Sequence, residues 1–449
     1  MKGESMKENK SKSAASESRR DFLKNKLMAS AALLLGFFKS TLAGNLAEGY
    51  LADQNQQLVD DKGNVDWAAV KAQFTLNSVR HHFNTASIGP SPKVVQDEII
   101  QLLRLAETFG NELHEKVEPV RQRIAKFLNA PPTQIAITRN TTEGMNIVAR
   151  SLNLKKGDEV ILTSEEHIGG SAPWLALKNE IGVVVKVINT SANANEEDIY
   201  DQIEKSITVN TKVISVSHIT CTTGTVLPVK KIIDLCAMRG ITSCIDGAQA
   251  VGQIPVDLSQ LQPDFYVTSG HKWMFGPKGT GILYLNQQFL ENTDPHYVGS
   301  YSDSRFDLMN GILEYNRTAS RYEYGTRNSP IIAGLGSAID FINKIGIDNI
   351  SNRGRELALR FRNGISRHPR IKIHTPMDSK YSASIVTFTI EGKQSDEVCR
   401  KAIVGGRTVL RSIYENDMNA IRASFAIHND YAEVDKLIQD MLNVADSED

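Results

Sequence analysis

The sequence predicts an α/β protein with a mostly parallel central sheet, helices on both of its faces, and a smaller α+β domain after it. Three observations lead there. Short runs rich in Val, Ile, Leu and aromatics recur between residues 135 and 285. Amphipathic stretches separate several of them, the alternation that a covered parallel sheet requires. The composition, 41% hydrophobic and 23% charged over 449 residues, is that of a folded globular chain with ample core and more than one domain.

Along the chain, residues 1–26 are polar, and Leu27–Phe38 is an apolar run that stops at Lys39. The run is shorter than the about 20 residues that cross a bilayer, so no stable membrane span is expected. Ser18-Arg19-Arg20-Asp21-Phe22-Leu23-Lys24 precedes it and Thr41-Leu42-Ala43 follows, an order that resembles a twin-arginine export signal. A frayed basic helix is the alternative. The resemblance implies contact with the twin-arginine export machinery and a periplasmic or otherwise exported location. It assigns residues 1–43 to the signal, 44–92 to a polar lead-in, 93–330 to the large domain, and 331–449 to an interdomain helix and small C-terminal domain.

Lys93–Phe109 and Val229–Arg239 read as helices. Strands are predicted at Ile135–Thr138, Glu159–Thr163, Val183–Ile188, Val213–Ser217, Ile241–Asp246, Phe265–Thr268 and Gly281–Leu285. Residues 331–345 form a long helix that leaves the large domain. Beyond it come a helix over Gly354–Ser366, strands at Ser384–Ile390 and Ala420–Ala426, and a closing helix over Ala432–Val444. Fifty-one Lys plus Arg against 52 Asp plus Glu give a net charge of -1. With no basic stripe, nucleic acid is not an expected partner. The four cysteines form no CxxC and no metal-ligand spacing, so neither a metal site nor a disulfide framework is expected.

The chemistry concentrates at strand ends, where ligands of parallel sheets bind. Phe265–Thr268 runs into Ser269-Gly270-His271-Lys272 and a Gly/Pro-rich turn. Ile241–Asp246 delivers Asp246-Gly247-Ala248-Gln249. Ile135–Thr138 leads to Thr141-Thr142 at a helix start, where free N–H groups and hydroxyls suit a phosphate. Glu159–Thr163 ends near His167. Singly, Lys272 also suits a solvated surface, Asp246 a helix cap, and Thr141-Thr142 a plain N-terminus. Together they supply an amine nucleophile, a carboxylate, a phosphate cradle and a flat ring, the set that pyridoxal 5'-phosphate (PLP) needs.

The segments SGHKWMFGPKGTG, IDGAQ, TRNTTEGMN, EEHIGG and RYEYGT stand in an order that resembles the class V aminotransferase family of PLP enzymes, over roughly residues 80–445. That family includes cysteine desulfurases and isopenicillin N epimerase. The resemblance implies the PLP-dependent transferase fold type I, with Lys272 as the Schiff-base lysine and Asp246 as partner of the pyridine nitrogen. It further implies Gln249 on the ring hydroxyl, His167 on the ring face, and Thr141, Thr142, Ser269 and His271 on the phosphate. Thr326, after Gly325, would reach the phosphate of a neighbouring subunit, which implies a homodimer. Arg422 would clamp the substrate carboxylate, and Asn84 would line the substrate side.

Desulfurases carry a mobile cysteine ahead of that arginine, whereas Val404–Ile421 contains none, and Cys399 falls in a predicted helix. Sulfur transfer is therefore disfavoured. The expected activity is proton removal by Lys272 at the α-carbon of an amino acid or amino-acid-bearing metabolite, after the substrate amine displaces Lys272 from the cofactor. Isopenicillin N epimerase-like epimerisation or aminotransfer leads. Siderophore side-chain tailoring, C–S or sulfoxide lysis, desulfuration, and a PLP-binding protein without turnover are the alternatives.

Overall fold

The computed structural model describes residues 57–76, 80–190 and 196–447, and from Leu58 onward the chain forms one compact unit. The export signal expected over residues 1–43, and the lead-in before residue 57, lie outside the described residues. The rest of the lead-in is more than a polar arm, since Leu58, Val70 and Phe74 are buried in the main apolar core. Phe74 meets Phe275 and Phe341 edge-on, with centroids 5.5 and 5.9 Å apart, a favoured aromatic geometry. The helix Trp67–Ala72 starts at Asp66, whose carboxylate accepts from the Ala69 N–H at 3.0 Å.

After the short strand β1 (His81–His82) comes the central sheet. Its strands are β2 (Ile135–Thr138), β3 (Glu159–Thr163), β4 (Val184–Ile188), β5 (Thr211–Ser217), β6 (Thr242–Asp246), β7 (Phe265–Ser269) and β8 (Gly281–Leu285). They lie in the order β2-β8-β7-β6-β5-β3-β4. Within this sheet only β8 runs against the others, pairing antiparallel with β2 and β7. Every residue of β2, β3, β7 and β8 is buried. Such strands read as apolar runs because both faces are covered, and all seven fall within two residues of their predicted spans. Six co-directional strands bring their carboxyl ends to one edge.

The antiparallel hairpin of β9 (Asp303–Asp307) and β10 (Ile312–Tyr315) is not among the predicted elements, because its residues are mostly exposed and carry no apolar run. Beyond it the helix Ser329–Ile345 breaks at Gly346 and the helix Ile347–Ile365 follows. The predicted start at Gly354 is seven residues late. Gly354 sits mid-helix because a Cβ there would lie 2.2 Å from Ser384 Oγ, so the glycine marks a close approach rather than a helix end.

The small domain holds β11 (Ile371–Ile373), β12 (Ile385–Ile390), β13 (Thr408–Val409), β14 (Arg411–Ile413) and β15 (Ala420–Ser424). An antiparallel sheet runs β11-β12-β15-β14, while β13 pairs with β1 in parallel. That pairing, continued by a bridge between Asn84 and Ser424, knits the lead-in to the small sheet beside Arg422. Among the described residues no single helix is long and apolar enough to cross a membrane.

A buried charge network braces the segment after the hairpin. Glu323 accepts from both terminal nitrogens of Arg121, from Arg327 Nη1, and from the Ile137 N–H at 2.6 Å. Removing one member of a buried, hydrogen-bonded set leaves an uncompensated charge. Glu323→Ala should therefore lower stability by about 3 kcal/mol, read as a lower urea midpoint. A midpoint equal to that of the parent would show that the network contributes nothing.

Candidate active site

At the carboxyl edge of the central sheet a cavity of about 340 Å³ is lined by Thr141, Thr142, His167, Asp246, Gln249, Ser269, His271 and Lys272, the side chains nominated from sequence. Strand ends and helix starts place them. Asn140 caps the helix Thr141–Ser151, accepting from the Glu143 N–H at 2.9 Å. The first turn therefore meets the cavity with the positive end of its helix, and Thr142, whose side chain lines the cavity, keeps an N–H that no described residue takes up, a natural anion seat. Across the sheet Ser269 Oγ accepts from the Thr141 N–H at 3.1 Å and lies 2.6 Å from Thr141 Oγ1. The two hydroxyls thus form one polar rim.

Lys272 follows β7 and is half-buried on the cavity wall. Its backbone is fixed by contact with the lead-in: the Gly89 N–H donates to the His271 carbonyl at 2.8 Å, and a Cβ on Gly89 would stand 2.0 Å from the Lys272 carbonyl oxygen. Only glycine admits that approach. Burial holds the Lys272 amine below the usual lysine range, and the Asp246 carboxylate partly offsets it. Asp246 ends β6 and accepts from the Ala248 N–H at 2.8 Å. Burial pushes its carboxyl up, and Lys272 pulls it back.

His167 precedes the helix Ile168–Ile181, and its Nδ1 accepts from the Gly169 N–H at 2.9 Å. The hydrogen-bond pattern therefore assigns the ring proton to Nε2. Burial, aided by Lys272, lowers its pKa to about 4, so the ring is neutral. Gln249 is clamped: its Oε1 accepts from Trp273 Nε1 at 2.7 Å, and its Nε2 donates to the Ala86 carbonyl at 2.9 Å. One amide hydrogen remains for a ligand. His271 Nδ1 is buried with no hydrogen-bond partner in the structure.

The two substrate-side nominations meet in one place. Arg422 donates to the Cys221 carbonyl and to Ser87 Oγ, both at 2.7 Å, and to Asn84 Oδ1 at 3.3 Å. These partners are neutral, and burial together with Arg411 depresses its pKa to about 10. Arg422 is fully buried behind the wall that Ser87 and Cys221 present to the cavity. Asn84 thus acts on Arg422, and the cavity is lined by its neighbours Ala86 and Ser87 rather than by Asn84 itself. Thr326 does not join the set, lining a separate cavity of about 390 Å³ with Arg139 and Arg327.

Ser87, Glu166 and Arg411 were not nominated from the sequence. Ser87 lies in the same HHFNTASIGP segment as Asn84 and was within reach of it. Glu166 accepts from Thr163 Oγ1 and from the Ser217 N–H and Oγ, with burial pushing its pKa to about 7. Arg411, on a three-residue strand with no apolar pattern, also lines the cavity. All four cysteines are free and buried, and Cys221 faces the cavity with a thiol pushed to about 11 by burial. Among the described residues no group of three His, Cys, Asp or Glu could hold a metal ion.

The residues fit PLP on this structure's own terms: an orphaned imidazole nitrogen and hydroxyl rim at a helix start, a buried carboxylate, and an amine held toward its neutral form. The Aminotransferase class-V family model matches residues 94–437. The cysteine desulfurase of Synechococcus elongatus is 30% identical over 377 residues, covering 79% of this chain. The chain spans only 59% of that relative's length. The cysteine desulfurase of Serratia proteamaculans is 30% identical over 378 residues, covering 80% of this chain and 91% of its own. Among solved structures, a C-DES mutant with glycine covalently linked to the PLP cofactor superposes with a TM-score of 0.77 at 26% identity, covering 84% of this chain and 99% of that one. The complex of the cystine C-S lyase C-DES with its product cysteine persulfide gives 0.75 at 27% identity, covering 82% and 98%.

A lowered Lys272 pKa means that the neutral amine persists at pH values where exposed lysines are charged. In cofactor-free protein, acetylation of Lys272 followed by peptide mass spectrometry should show a midpoint below that of exposed lysines. Asp246→Asn removes a charge that favours the ammonium, so the midpoint should move lower still. A midpoint that moves up on that substitution would contradict the assigned electrostatics.

Proposed function

This chain belongs to the aminotransferase class-V family, and from that membership we propose that it is a PLP-dependent enzyme that takes the α-proton from an amino acid or amino-acid-bearing metabolite with Lys272 and then releases a β-substituent, a carbon–sulfur lyase type of outcome. The observation that carries the reading is one cavity lined by a half-buried Lys272 biased toward its neutral form and by a buried Asp246, with Arg422, which has no anionic partner among the described residues, behind the cavity wall. Bound PLP supplies an electron sink that acidifies the α-hydrogen of an attached amino acid. Asp246 would favour a proton on the ring nitrogen. Thr141, Thr142, Ser269 and His271 would hold the phosphate, Gln249 the ring hydroxyl, and His167 the ring face. Lys272, once free, accepts the α-proton, a task that its lowered pKa suits near neutral pH. Arg422 offers two N–H groups to a carboxylate, which would replace or share its present neutral acceptors.

Relatives named cysteine desulfurase and cystine C-S lyase support cleavage at sulfur. A thiol relay on this chain is not supported. Residues 404–421 carry no cysteine, and the strand β14 within them is paired to β15. Asn416, just beyond it, donates to Glu165 Oε1 at 3.2 Å. Sulfur leaving the substrate would pass to solution. A second reading, epimerisation, is favoured by the Cys221 thiol, which burial keeps protonated on the cavity wall as a potential proton donor.

A homodimer belongs to the same proposal, because Thr326 lies away from its own chain's cradle and would serve a neighbour's. Export by the twin-arginine route belongs to it as well, on the strength of Arg19 and Arg20 before an apolar run.

Incubating the purified enzyme with amino-acid panels in deuterated water separates the outcomes by mass spectrometry. Fragment loss with solvent deuterium in the product is expected. Exchange with inversion, abolished by Cys221→Ala, would replace that with epimerisation, and keto-acid formation would replace it with aminotransfer. Lys272→Ala should lose turnover by at least a thousandfold, the scale of a positioned general base; retained turnover would refute the assignment. Arg422→Ala should raise KM for carboxylate substrates by about ten- to a hundredfold, the loss of charge-assisted hydrogen bonds. Changing Arg19 and Arg20 together to Lys should leave the precursor in the cytoplasm, and normal delivery of that variant would remove the export proposal.

A further inference from the structure

Arg411 is the guanidinium that lines the Lys272 cavity directly, and it stands opposite Arg422 in the β14–β15 register. Residues directly opposite on antiparallel strands present their side chains to the same face, and like charges so placed repel. Nothing anionic sits on Arg422 among the described residues, while Arg411 is paired with Glu415, four residues along the chain and just past the end of β14. Both members of that pair are 28% exposed, in contrast to the buried Arg422. The charged groups around the cavity are thus Lys272, Arg411 and Arg422 against Asp246 and Glu415, while His167, His271 and the Cys221 thiol are neutral. Asp246 lies beside Lys272 and would serve the ring nitrogen of the bound cofactor. Two guanidiniums therefore serve the substrate end, and a single carboxylate of the chain offsets them.

We infer that the substrate carries a second carboxylate at the end of its side chain, that Arg422 takes the α-carboxylate and Arg411 the second one, and that Glu415 occupies Arg411 until the substrate displaces it. The inference rests on the reading that an amino acid is processed at Lys272, and it names the substrate class for that site. A carboxylate is the fitting partner because the chain itself already places one on the Arg411 fork, and a planar fork binds carboxylates through paired hydrogen bonds. The segment that carries Arg411 is held in place at both ends: β14 pairs with β15, and Asn416 is tied to the buried Glu165, which also accepts from Thr222 and from Thr223 Oγ1 at 2.9 Å. Arg411 is a specificity-determining residue built on a braced strand.

Titrating the holoenzyme and following the cofactor's visible absorption gives dissociation constants without turnover. Aspartate, glutamate and cystine would be compared with alanine and cysteine. The wild-type protein should bind the first group at least about tenfold more tightly. Arg411→Met should reduce the ratio of the two affinities by about tenfold, and Arg411→Lys should restore part of it. Glu415→Gln removes the internal competitor and should raise the ratio severalfold, which keeps the inference testable should Arg411→Met fail to fold. A wild-type enzyme with no preference, an unchanged ratio in Arg411→Met, or an unchanged ratio in Glu415→Gln would overturn it. Loss of the Lys272 reading would show elsewhere, as turnover surviving Lys272→Ala, whatever the ratio.

Discussion

Asp246 and Arg422 are taken out of water, with Lys272 half-buried between the sheet and the lead-in, and the arrangement of the surrounding chain follows from that constraint. Each buried ion costs several kcal/mol unless neighbours replace its hydration, and the three are handled differently. Lys272 yields toward its neutral form. Asp246 keeps one backbone N–H and the Lys272 field. Arg422 surrounds its terminal nitrogens with three neutral acceptors that do not cancel its charge, and its Nε is buried with no hydrogen-bond partner. A cation left in that condition is an anion site in waiting, and a deprotonable amine beside a carboxylate is a base in waiting. Structural cost and chemical use coincide at the same atoms.

That seat is assembled from distant parts of the sequence. The lead-in supplies Asn84 and Ser87, the segment after β5 supplies the Cys221 carbonyl, and the small sheet supplies Arg422 itself. The β1–β13 pair and the Asn84–Ser424 bridge hold the first of these against the last. Gly89 then lies against the Lys272 backbone, so the lead-in touches both the strand end that carries the lysine and the arginine. The site depends on the lead-in as much as on either domain.

How far the sequence foretold this can be traced to physical causes. The seven central strands were legible because burial on both faces writes a continuous apolar run, and their ends were legible because parallel strands deliver ligands to one edge. Thr141, Ser269, Lys272 and Asp246 accordingly converge as expected. The β9–β10 hairpin was not legible, since exposed strands carry no such run. Neither was Phe74, a lone core aromatic among polar neighbours. Gly354 misled because a glycine required by packing looks in sequence like one required by a helix end. Arg411 was invisible for a different reason: its meaning lies in the cross-strand register with Arg422, and a three-residue strand leaves no periodicity from which register could be inferred.

The near-zero net charge argues against polyanions and leaves small anions open, and the cavity lining is consistent with that distinction. Helix-start N–H groups and hydroxyls can hold a phosphate with no formal charge of their own, while the two guanidiniums act only within the cavity. Local imbalance, not overall charge, selects the ligand. The same segment also bears on the fate of sulfur. A relay thiol must swing between substrate and acceptor, which needs a loop free of the sheet. Here β14 is hydrogen-bonded to β15, Asn416 is tied to a buried glutamate, and the side chain presented to the cavity is a guanidinium. Holding Arg411 in register against Arg422 and letting a thiol travel are incompatible uses of one stretch of chain, and this stretch is built for the first.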